Sequence, residues 1–128
     1  MNTPVHHLST ANEGRLALEV RPRPDATVLA LAGELDHESA EPVRRALDDA
    51  RRRGGRLLVD VSRLNFCDST GLNVLLRGRA AIHASHGSLE LVGLHQPVAR
   101  MFHITGADRL FRLHPDVDAA LAAPRATA

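Results

Sequence analysis

Between Arg15 and Arg21 the apolar residues Leu16, Leu18 and Val20 alternate with Ala17 and Glu19. A period of two marks a strand with one buried face, and predicts a first strand near a sheet edge. After the Pro22 to Asp25 turn signal, Ala26 to Ala32 is almost continuously apolar, as in a strand covered on both faces. The polar run from Gly33 to Glu38 leads to Ser39, a good helix N-cap, with Pro42 inside the first turn where its missing N–H costs nothing. Val43, Ala46, Leu47 and Ala50 then fall on one helical face, and Gly54-Gly55 ends that helix. Arg56 to Val61 reads as a further buried strand, so that a parallel β-α-β unit is predicted.

Ser62 to Asp68 is expected to be a loop. A second helix is predicted from Ser69 to Ala84, with Leu72, Leu75, Leu76 and Ile82 inward and Arg79 interrupting that face and snorkelling out. Ser88 to Gly93 gives a strand, Gln96 to Thr105 a short helix stopped by Gly106, and Leu110 to Leu113 a last strand. Pro115 and Asp116 open a terminal helix with Val117, Ala120 and Leu121 as its apolar stripe. The sum is a single α/β domain over residues 15–122, with a mixed sheet, a largely parallel centre and about four helices packed mainly on one face. Residues 1–14 and 123–128 are expected to be flexible tails. Function is expected in the loops at strand C-termini.

Composition narrows the function classes. The chain has 128 residues, of which 44% are hydrophobic, enough for one core and too few for two domains. Only Phe66, Phe102 and Phe111 are aromatic, so base-stacking platforms are missing. Sixteen basic residues, all Arg, oppose fifteen acidic ones, and a net charge of +1 gives no field for nucleic acid or a membrane surface. The N-terminus lacks the apolar stretch of a secretory signal, and no window approaches the ~20 apolar residues of a membrane span. The single Cys67 excludes an internal disulfide. These features lead us to expect a cytoplasmic chain.

The stretch that carries chemistry is Asp68-Ser69-Thr70-Gly71 at the entry to the second helix. Asp68 or Ser69 can cap free N–H groups, Ser69 and Thr70 present hydroxyls, and Gly71 is expected to remove bulk so that another molecule can approach. A phosphate at such a helix start is stabilised by the macrodipole and the unpaired N–H groups. On the tetrapeptide alone, an ordinary capped helix start is the favoured reading, since Ser and Thr begin many helices.

Context changes that balance. The strand leading into Gly33-Glu34-Leu35-Asp36, the strand Leu57 to Val61, the run Asp68 to Leu76, and the strand Ser88 to Val92 followed by Pro97, Val98 and Phe102 together resemble the STAS-domain family of bacterial anti-sigma factor antagonists. The resemblance spans about Arg15 to Leu121. It implies a partner-switching protein whose unphosphorylated form binds an anti-sigma factor serine kinase and frees a sigma factor for transcription. It implies phosphorylation at Ser69, with Thr70 the second choice, and resetting by a serine phosphatase. ATP and Mg²⁺ would be bound by the kinase, and this chain would need no cofactor. Glu34, Asp36, Asp68, Ser69, Thr70, Gly71, Leu72 and Asn73 are the implied partner-binding residues, on a chain expected to act as a monomer or weak dimer. Two positions depart from the family pattern: Asn73, where many members have Gly, and Arg77-Gly78-Arg79, which makes the helix more basic.

Other readings compete. A nucleophilic enzyme built on Ser69 lacks the Gly-x-Ser-x-Gly elbow. His83 and His86 stand at i, i+3 but no Cys or carboxylate accompanies them, so they are expected to face solvent and no metal site is expected. Cys67 is expected to be a buried loop cysteine, and the Arg51 to Arg53 run to complement the helix dipole. The strongest alternative is a STAS scaffold, or constitutive interaction module, that is never phosphorylated.

Overall fold

A computed structural model describes residues 15–125. Five strands form one sheet in the order β1-β2-β3-β4-β5: β1 is Leu16–Pro22, β2 Thr27–Leu35, β3 Arg56–Cys67, β4 Ser88–Val92 and β5 Leu113–His114. β1 runs antiparallel to β2, and every other pair is parallel. The helices are α1 Ala40–Arg53, α2 Ser69–Ala84, α3 Val98–Thr105 and α4 Val117–Ala122. Residues 1–14 and 126–128, most of the expected tails, lie outside the described residues.

Alternation along the strands divides the interior in two. Leu29 and Leu31 of β2, Leu57, Val59 and Val61 of β3, and Leu89 and Leu91 of β4 point to one side, where Val43 and Leu47 of α1, Leu72 and Leu75 of α2, and Phe102 of α3 cover them. Val28, Leu58 and Val92, of opposite parity, meet Ala120 of α4 on the other side. Three helices therefore share one face and the short α4 covers part of the other.

The segment Ser62 to Asp68 is not the expected loop. β3 continues to Cys67, because β2 advances from Ala30 to Ala32 while β3 advances from Asp60 to Arg63, and again from Gly33 to Glu34 while β3 advances from Leu64 to Phe66. Each step is a bulge that inserts one residue and resets which side chain faces inward. Val61, Leu64 and Cys67 are buried at a spacing of three, so the alternation that signals a strand is lost although the pairing persists. The consequence is positional: β3 delivers Asp68 beside Leu35, whose carbonyl accepts the Asp68 N–H at 3.0 Å.

Other differences are local. The last strand is Leu113–His114, and a 3₁₀ turn at Ala107–Arg109 precedes it where strand had been expected to begin at Leu110. The third helix begins at Val98 rather than Gln96. Ser39 occupies the N-cap position of α1 but makes no side-chain bond into that helix. His83 is buried, not solvent-facing: its Nε2 accepts the Leu89 N–H at 3.0 Å, and burial, reinforced by the positive charge of Arg79, holds its pKa below the usual histidine value. His86 is exposed. Residues expected to begin a loose tail are tethered, since Arg56 donates to the Ala123 carbonyl and Arg125 to that of His86.

Candidate functional site

The site is assembled where β2 and β3 end side by side. Chain leaving β2 turns through Asp36 to Ser39 before α1. Asp36 is only 5% exposed, and its Oδ1 accepts the N–H groups of Glu38 at 3.0 Å and Ser39 at 3.1 Å, while Arg15 binds its Oδ2. The Ser39 hydroxyl donates to the Glu34 carbonyl at 2.8 Å and accepts the Asp36 N–H at 2.9 Å. These bonds explain why Ser39 does not cap α1: its oxygen is used to close the turn behind it. Arg15 also pairs with Glu34 and Glu38, at 3.7 and 3.1 Å.

Asp68 joins this turn to α2. Its Oδ1 accepts the Gly71 N–H at 2.9 Å, the side-chain cap expected at a helix start, and its backbone carbonyl accepts the Leu72 N–H. Its Oδ2 accepts the His37 N–H at 3.1 Å, with the His37 imidazole Nδ1 at 3.8 Å. One carboxylate thus holds two elements that are far apart in sequence.

Ser69 and Thr70 follow at the first helical positions, both exposed, and among the described residues neither hydroxyl has a hydrogen-bond partner. Gly71 has a different role from the one expected. It is buried, and a Cβ there would meet Leu35 Cγ at 2.6 Å, the Leu35 carbonyl at 2.9 Å and Cys67 Sγ at 3.2 Å. Its missing side chain serves the approach of α2 to the end of β2, not the approach of a second molecule. Leu72 is likewise core, whereas Asn73 and Glu34 are exposed. Of the implied partner-binding residues, Glu34, Ser69, Thr70 and Asn73 present side chains to solvent, Asp68 does so partly, and Asp36, Gly71 and Leu72 hold the site from within.

Cys67 is buried at the end of β3, with its thiol pushed up to about 12 by burial and by the adjacent Asp68 carboxylate. It is therefore a packing residue with little thiolate at neutral pH. Among the described residues no group of three or more His, Cys, Asp or Glu gathers as metal ligands.

Three neighbours of the site were not singled out from the sequence. His37 is exposed on the turn and touches Asp68; its position beside Asp36 was the available signal. Phe66, 49% exposed, and Ile104, 70% exposed, flank a cavity of about 290 Å³ with Pro97 and Met101 beside Cys67. Phe66 could be recognised as outward-facing only by counting the bulges in β3.

Known proteins give the class. A family model described as "Mlab, STAS domain" matches residues 18–115, and the chain belongs to the STAS-domain family. Within it, the chain is 30% identical over 105 residues to the anti-sigma F factor antagonist of Paenibacillus polymyxa, covering 80% of this chain and 87% of that one. It is 29% identical over 100 residues to the anti-sigma-B factor antagonist of Listeria monocytogenes, covering 77% and 88%. The crystal structure of an anti-sigma factor antagonist from Mycobacterium paratuberculosis superimposes with a TM-score of 0.73 at 27% identity, covering 90% of this chain and 97% of that one. Among the described residues no helix is long and apolar enough to cross a membrane.

Proposed function

We propose that this chain is an anti-sigma factor antagonist switched by phosphorylation of Ser69. The observation that carries the reading is the unbonded, exposed Ser69 hydroxyl held at the first position of α2 by Asp68, which is itself fastened to both the helix and the preceding turn. A kinase needs an accessible hydroxyl, and this one is exposed on the first residue of a capped helix. The names of its relatives supply the partner class, an anti-sigma factor.

In this reading the unphosphorylated surface around Glu34, Ser69, Thr70 and Asn73 docks on an anti-sigma factor kinase and so releases a sigma factor. The kinase holds ATP and Mg²⁺; this chain provides the accepting oxygen. Phosphorylation adds about 1.5–2 negative charges beside Asp68 and fills part of the docking surface. The helix N-terminus tolerates that charge, while a partner packed against it does not. Binding is lost without unfolding, and a serine phosphatase restores it. Thr70, one position on and also exposed, is the alternative acceptor.

The test is affinity for an anti-sigma factor kinase encoded in the same genome, measured with wild type, Ser69→Ala and Ser69→Asp. The alanine variant should bind about as well as wild type and resist switching, and the aspartate variant should bind at least about tenfold more weakly, equivalent to ~1.4 kcal/mol. Equal binding by all three, before and after incubation with ATP, would replace the switch with a constitutive scaffold.

A further inference from the structure

The basic run on α2 has a place in the structure that the switch does not use. Thr70, Arg77 and Ala81 share one helical azimuth at i, i+7 and i+11, with Asn73 and Val74 between them. Thr70, Asn73, Arg77 and Ala81 are exposed and Val74 is half-buried, so an open strip runs from the hydroxyl pair along the helix. The rise of about 1.5 Å per residue places Arg77 roughly 12 Å from Ser69 along the axis.

Beside the strip, α1 and α2 pack closely. Gly78 lies directly against α1: a Cβ there would meet Leu47 Cδ1 at 2.5 Å, so that side chain would have to shift. The close approach leaves a cleft of about 180 Å³ lined by Arg44, Asp48 and Arg51 of α1 and by Val74, Arg77 and Ala81 of α2. The cations in it are not equivalent. Arg44 is held by Glu41, and Arg51 by Asp48 at 3.0 Å, whereas among the described residues Arg77 has no ion-pair partner. Because Arg44 and Arg51 are neutralised by carboxylates of their own helix, Arg77 is the cation left unpaired in the cleft, and an exposed guanidinium beside apolar Leu47 and Val74 fits a segment that carries a carboxylate.

We propose that this strip and cleft recognise an acidic segment of the anti-sigma factor, with Arg77 as the specificity-determining cation. The proposal rests on the reading of Ser69 as the docking centre and adds how one anti-sigma factor is distinguished from another. Charges at the edge of an interface act mainly on association rate, salt dependence and rejection of wrong partners. Arg77 therefore selects the partner, and Ser69 decides whether it stays bound. A nucleic-acid ligand is disfavoured by the near-zero net charge and by the lack of aromatic stacking residues on the strip.

The test uses the full chain and purified anti-sigma factors encoded in the same genome, with wild type, Arg77→Lys, Arg77→Glu and Ser69→Asp compared at low and high salt. Arg77→Glu should lower the association rate by about tenfold at low salt and flatten the salt dependence, with Arg77→Lys close to wild type. Its melting temperature should match wild type, since Arg77 has no internal partner to lose. Unchanged binding and salt dependence in Arg77→Glu, with binding lost in Ser69→Asp, would overturn the Arg77 assignment and leave the switch standing. Failure of wild type to bind any anti-sigma factor would overturn both. Binding of wild type to random duplex DNA, lost in Arg77→Glu, would overturn the assignment to a protein partner.

Discussion

Two carboxylates in this chain each organise a polar cluster, and they do so to opposite ends. Glu90, on β4, is fully buried and receives Arg56 through both oxygens, at 2.8 and 3.2 Å, together with His114 at 2.8 Å. Arg56 uses two further donors on the Ala120 and Ala123 carbonyls, at 2.7 and 3.1 Å, so the cluster fastens the end of α4 to the sheet. Asp68, at the mouth of β3, also bridges two elements, but it is partly exposed and leaves the adjacent Ser69 and Thr70 hydroxyls unbonded. In the first cluster the polar groups are consumed internally; in the second they position others that remain free. A carboxylate that anchors is thus compatible with either stability or function, and the neighbours decide which.

The contrast can be broken most forcefully at Glu90. Its replacement by Ala strands the Arg56 guanidinium in the interior and is expected to cost about 3–5 kcal/mol, read as a shift of the urea midpoint. Arg56→Met combined with Glu90→Leu should recover much of that loss, because an apolar pair leaves no buried charge unpaired. A small loss in the single variant would mean that the cluster is hydrated and does not secure α4.

Gly71→Ala sharpens the second region. The new methyl is forced against Leu35 and its carbonyl, and about 1–3 kcal/mol of stability should be lost in thermal unfolding. Unaltered stability would return Gly71 to the docking surface.

The effects at the helix start are smaller. Asp68→Ala removes the cap on Gly71 and the bond to His37, and should cost ~0.5–2 kcal/mol. Asp68→Asn keeps one acceptor oxygen but places an NH₂ group at the other position, so its loss should fall in between. Ser69→Ala should lie within about 0.5 kcal/mol of wild type, since no bond is broken. A larger loss would show that the hydroxyl has a structural role after all.

How far these regions could be read from sequence differs for physical reasons. β1, α1 and α2 were legible because single-faced burial writes a period into the chain, β2 because an unbroken apolar run marks a strand covered on both faces, and Asp68 as a cap because that geometry is local. The continuation of β3 was hidden by two bulges, which change the period without ending the strand. The Glu90 cluster was invisible: a glutamate in Ser88 to Val92 looks like the solvent face of a strand, and its partners lie 34 residues before it and 24 after it in the chain. Gly71 was recognised as special for its small size, but which neighbour required that size became clear only when Leu35 was in place. Ser69 was legible as an available hydroxyl; that Asp68 ties its helix to the turn at His37 was not.

The most direct measurement is to incubate the chain with an anti-sigma factor kinase from the same genome and Mg-ATP, then locate phosphate by peptide mass spectrometry. The account expects a single phosphate on Ser69, absent from Ser69→Ala, with release of the kinase as the modification accumulates. Persistent kinase binding with neither Ser69 nor Thr70 modified would contradict it.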